Sequence, residues 1–100
     1  MESIAGNVDV LYQTRIQKER FANEEEYLKY KGCYQIDNAF INRMKKEAIL
    51  MHPLPRVDEI LQEVDISPKA VYFKQARYGL LIRMALLEIV FEKHGVLLKP

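Results

Sequence analysis

The chain has 100 residues, 49% hydrophobic and 29% charged, with a formal net charge of +1 and a single cysteine. This is the composition of one ordinary globular domain, and it gives no case for disorder, an internal disulfide, or an electrostatic nucleic-acid or membrane surface. Cys33, His52 and His94 are too scattered for a zinc site, no export signal opens the sequence, and the apolar region Gly79–Val90 is interrupted by Arg83 and Glu88, so a soluble, cytoplasmic protein is expected.

In chain order, "ESIAG" reads as the tail of a helix stopping at Gly6, with Asn7 in the turn, so the chain is expected to begin inside an element. Val8–Gln13 is a short apolar run without helical period, and it reads as a strand. Asn23 is the N-cap of the next helix, Glu26 holds the capping-box position, acids fill the first turn and Gly32 ends it. "CYQI" is expected to be a second strand. Asp37 caps "NAFINRMKK", a helix with Phe40, Ile41 and Met44 on one face. Ala48–Pro53 is a third strand, apolar enough to be buried on both faces. "VDEILQEV" holds one helical turn. Ser67 and Pro68 then mark an N-cap and first helical position, Gly79 a kink or break, and Gly95 the end of a closing helix. Alternating strands and helices imply an α/β fold, a parallel, three-layer, Rossmann-like sheet with helical crossovers. Such sheets bind ligands outside the carboxyl ends of their strands.

Two unusual stretches fall at those ends. In "TRIQKER", Arg15 and Gln17 point the same way if the segment is extended, and a guanidinium beside an amide suits a carboxylate or an amino acid. Taken by composition alone, solvated loop charge is the better reading. In "HPLPR", Pro53 and Pro55 have no N–H, which leaves the carbonyls of Pro53 and Leu54 as acceptors, and Pro55 suits a cis bond. Alone, this segment reads as a stiff strand stop. His52 is a possible base, but it has no evident partner and fits a packed structural role better.

Taken together, "VDVLYQTRIQKERF", "MHPLPRVDEI" and "DISPKAVYFKQARYGLLIRMALLEIV" resemble, in order, the C-terminal part of the aspartate-binding domain of the aspartate carbamoyltransferase family. The related ornithine enzymes carry Cys after the His, where Pro53 stands here, so the resemblance favours aspartate as acceptor. It implies that residues 1–100 belong to that domain, with 80–94 as its closing helix. It also implies carbamoyl transfer from carbamoyl phosphate to L-aspartate in pyrimidine biosynthesis. By resemblance, Arg15 and Gln17 bind aspartate, and Pro53, Leu54 and Pro55 meet carbamoyl phosphate across a cis Leu54–Pro55 bond. Glu19 orients the aspartate-binding arginine, Arg20 makes an interdomain ion pair, and Tyr27 and Asp58 form a hydrogen-bonded pair that holds a mobile loop.

No nucleophile, metal or cofactor is implied. Implied partners are both substrates, the carbamoyl-phosphate domain, two further copies in a homotrimer, and regulatory chains. The family's Ser-Thr-Arg-Thr phosphate motif does not occur in these 100 residues. The expectation is therefore one part of a two-domain enzyme, inactive alone, as a fragment or a split-gene product. The alternatives are a non-catalytic interaction or regulatory paralogue and an ornithine-type relative.

Overall fold

The computed structural model describes residues 2–95. Its elements are β1 (Val10–Tyr12), α1 (Glu24–Tyr30), α2 (Asn38–Arg43), β2 (Ile49–Met51) and α3 (Tyr72–Lys93), with single 3₁₀ turns at Glu2–Ile4, Lys18–Arg20 and Gln62–Ile66. The architecture is α/β with parallel pairing, as expected. Val10, Leu11 and Tyr12 lie opposite Ile49, Leu50 and Met51. Leu50 is at the centre of the core with Ile36, Phe40, Ile60, Val64 and Tyr72.

Local chemistry explains the helix ends. The Asn23 side chain accepts the Glu26 N–H at 2.8 Å, and Asp37 accepts that of Phe40 at 2.8 Å. Gly32 and Gly95 follow their helices at φ of 81° and 74°, where a Cβ would be strained. α2 stops at Arg43, three residues before the end of "NAFINRMKK". The Lys69 ammonium takes up the next carbonyls, those of Lys45 and Lys46, each at 2.5 Å.

Three expectations are corrected. "CYQI" is not a strand of the main sheet; only Ile36 makes a bridge, to Ile60. Ser67–Pro68 does not start a helix. The free edge of β2 claims that segment: Leu50 N–H donates to Lys69 O at 2.7 Å and Val71 N–H to Leu50 O at 3.0 Å, which holds 69–71 extended. α3 therefore begins at Tyr72. Gly79 does not break α3, because glycine weakens a helix interior without forbidding its dihedrals.

Candidate functional site

β1 and β2 run parallel and adjacent, so their carboxyl ends deliver the two unusual segments to one place. β1 ends at a fixed point. Gln13 N–H bonds Met51 O at 2.9 Å, and its side-chain amide reaches Thr14 O at 3.2 Å and Tyr34 O at 3.4 Å. The loop that follows is held at its far end by α1. Phe21 packs its ring 5.7 Å from Tyr27 and 5.8 Å from Tyr30, and Lys18 pairs with Glu24 at 3.1 Å. Between these anchors the chain lines one side of a cleft of about 700 Å³ with Thr14, Arg15, Ile16, Gln17, Arg20 and Phe21. The segment after β2 supplies the other side: His52, Pro53, Leu54 and Pro55.

Six sequence-derived positions thus share one cleft: Arg15, Gln17, Arg20, Pro53, Leu54 and Pro55. The Leu54–Pro55 peptide is cis, and Leu54 sits in the left-handed region at φ 54°. Tyr27 and Asp58 come together elsewhere, on a separate pocket of about 20 Å³ with Ile16 and Tyr34. They line it without a hydrogen bond to each other. Glu19 is exposed in the 3₁₀ turn Lys18–Arg20 and makes no ion pair with Arg15 among the described residues.

Sequence reading missed what holds the second wall. His52 is 1% exposed and is bonded on every side. Its N–H donates to Gln75 Oε1 at 3.0 Å, and Gln75 Nε2 donates in turn to Tyr12 OH at 3.0 Å. Its Nδ1 accepts the Leu54 N–H at 2.8 Å, and its Nε2 meets Glu59 Oε1 at 2.6 Å. An amide N–H can only donate, so Nδ1 carries no proton and the proton lies on Nε2, shared with Glu59. This ring is neutral and has no free nitrogen to act as a base.

The other oxygen of Glu59 accepts Val57 N–H at 3.1 Å and Asp58 N–H at 3.2 Å. Burial pushes the Glu59 carboxyl up, but its own backbone N–H, the Val57 N–H and His52 together outweigh it and leave it below the ordinary value. Downstream, the two terminal guanidinium nitrogens of Arg56 donate to the two oxygens of Asp65, the Nη2 contact at 2.7 Å, and the Tyr72 hydroxyl donates to the same carboxylate. The Arg56 guanidinium holds Asp65 below the usual carboxylate range, against the effect of burial. Burial, reinforced by Asp65, pushes Tyr72 up to about 12.

Among the described residues, no group of three or more His, Cys, Asp or Glu is placed to hold a metal. No helix there is long and apolar enough to cross a membrane.

A parallel α/β unit with an arginine-bearing cleft at the carboxyl ends of its two strands has the class of architecture in which open α/β sheets hold their ligands. Comparison with known proteins gives the family. Residues 1–90 match the model of the aspartate/ornithine carbamoyltransferase Asp/Orn binding domain, and the chain belongs to that family. It is 55% identical over 87 residues to the aspartate carbamoyltransferase catalytic subunit of Thermoplasma acidophilum, and 53% identical over 87 residues to that of Finegoldia magna. Each match covers 87% of this chain and 28% of the relative, so the chain spans a little over a quarter of their length. Its fold superimposes on aspartate transcarbamoylase of Trypanosoma cruzi in complex with carbamoyl phosphate, with a TM-score of 0.77 and 42% identity over 87% of this chain and 28% of that one.

Proposed function

We propose that this chain forms the amino-acid wall of an aspartate carbamoyltransferase site. The observation that carries the reading is the shared cleft, with Arg15, Gln17 and Arg20 facing Pro53, Leu54 and Pro55. In this reading the Arg15 guanidinium pairs with a carboxylate of L-aspartate, and the Gln17 amide adds a hydrogen bond. The carbonyls of Pro53 and Leu54 accept N–H groups of the reacting molecules. The aspartate amine attacks the carbonyl carbon of carbamoyl phosphate, a C–N bond forms, the C–O bond to phosphate breaks and the amine loses a proton. The products are N-carbamoyl-L-aspartate and phosphate, a step of pyrimidine biosynthesis. Catalysis is by positioning and charge stabilisation, which needs no side-chain nucleophile.

The remaining roles belong to closure: Arg20 reaches toward the phosphate-binding part, Glu19 steers Arg15, and Tyr27 and Asp58 tether the loop between them. The phosphate-binding half comes from a carbamoyl-phosphate domain, joined covalently or supplied in trans. The working form is a cytoplasmic trimer, to which regulatory chains can attach.

The test combines the chain with the complementary N-terminal polypeptide of the T. acidophilum relative and measures carbamoylaspartate formation. Arg15→Ala should raise the KM for aspartate by about 10- to 100-fold, the size expected for a lost charge-assisted pair. A folded complex that forms no carbamoylaspartate, or an Arg15→Ala complex with unchanged aspartate KM, sinks the reading.

A further inference from the structure

The wall formed by Pro53, Leu54 and Pro55 contains three residues and only one backbone N–H, because a proline has none to give. That one donor belongs to Leu54, and it is spent on Nδ1 of His52 at 2.8 Å. The wall's backbone therefore has only carbonyl oxygens left to offer. This depends on the His52 tautomer, and Glu59 fixes the tautomer from the far side of the ring at 2.6 Å. Glu59 is itself 6% exposed and oriented by Val57 and Asp58 N–H groups, so the arrangement is rigid at both ends. Leu54 lies at φ 54°, a strained conformation for a residue bearing a Cβ, and the bond to His52 helps to hold it there.

We propose that His52, held in one tautomer by Glu59, is a positioning residue that makes this wall acceptor-only and so selects a ligand face bearing N–H groups. The inference deepens the carbamoyl-transfer reading and rests on it for its functional half. An acceptor-only surface suits the amino group of an amino acid and the NH₂ of a carbamoyl group, and it repels an oxyanion. Were the Leu54 N–H free, the same wall would present a donor, and a phosphate or carboxylate oxygen would compete for it.

Two substitutions separate the two halves of the ring. His52→Asn keeps an oxygen near the Nδ1 position and loses the reach to Glu59. His52→Gln reaches toward Glu59 and loses the acceptor for Leu54. In the reconstituted complex described above, His52→Gln should lower kcat about 10- to 100-fold, the scale of a misplacement near 1 Å, with aspartate KM moving less than about threefold. His52→Asn should lower kcat by a clearly smaller factor. Nitrogen NMR of the reconstituted complex, with only this chain labelled, should show Nδ1 unprotonated and Nε2 protonated, with the Leu54 amide proton shifting upfield in His52→Gln. Equal kcat losses in the two variants, or a protonated Nδ1, overturn the inference. If the unsubstituted complex is folded but makes no carbamoylaspartate, the carbamoyl-transfer reading fails first, and the functional half of the inference falls with it.

Discussion

The carboxylate of Glu59 accepts three hydrogen bonds, from His52, Val57 and Asp58, while almost wholly buried. Protonation would replace an acceptor with a donor facing other donors. Its carboxyl is held below the ordinary value, so the folded state binds its proton more weakly than the unfolded chain does. The stabilisation is therefore complete above the unfolded value, about pH 4.3 for a glutamate, and is lost as pH falls through the lower folded value. Asp65, also depressed by its Arg56 pair, acts in the same direction. Thermal melting from pH 7 down to pH 3 should show the midpoint falling below about pH 4.5. Glu59→Gln should flatten part of that fall and cost about 1–3 kcal/mol at pH 7, since an amide cannot accept at both oxygens' positions. An unchanged acid slope in Glu59→Gln would remove this residue from the account. The pairing itself was not legible in the sequence. His52 and Glu59 are seven residues apart across an irregular loop, where no period links one position to another. Arg15, Gln17 and the two prolines stand out because their segments fall at the ends of apolar runs that read as strands, while their roles come only from the family resemblance.

Elements whose ends are fixed by local bonds could be read from sequence, and those fixed by distant backbone could not. Asn23, Asp37, Gly32 and Gly95 act within a few residues of themselves. Ser67 and Pro68 also carry a local helix signal, but the edge of β2 needs backbone partners and takes Lys69 and Val71 first. Gly79 misleads for a related reason. Its signal is only the absence of a side chain, and the helix around it is long enough to carry the loss. A Cβ there would meet the Arg83 guanidinium at 3.5 Å, an ordinary contact with the end of a flexible side chain, and the glycine lies at helical dihedrals. Gly79→Ala should therefore stabilise the chain by about 0.5–1 kcal/mol, through helix propensity and a less free unfolded state. Thermal or urea melting checks it. A destabilised variant would mean that the Arg83 contact matters more than the backbone.

On the scale of the whole molecule, α3 determines the shape. The radius of gyration is 17.9 Å, where a compact domain of this length has about 13 Å. The accessible surface is 7848 Å², about 1,900 Å² above the scaling expected for this mass. The excess has an evident source. Leu80, Leu81, Ile82, Met84, Leu86, Leu87, Ile89 and Val90 are each at least half exposed, and they face every side of the helix. An amphipathic surface helix has one apolar stripe, whereas a helix apolar all round is built to be surrounded. Arg83 and Glu88 interrupt it, and it is not a membrane span. An uncovered area of this size is that of a large protein interface. The chain by itself should therefore bind an exposed-hydrophobe dye strongly and scatter light as an assembly heavier than 11.8 kDa. Adding the complementary N-terminal polypeptide of the T. acidophilum relative should lower both signals together, as α3 gains cover. Leu81→Lys with Leu87→Lys should lower the scattering without the added polypeptide and leave the core around Leu50 folded, since neither residue touches it. A dye-negative monomer of the unsubstituted chain would show instead that α3 folds back onto its own domain in solution.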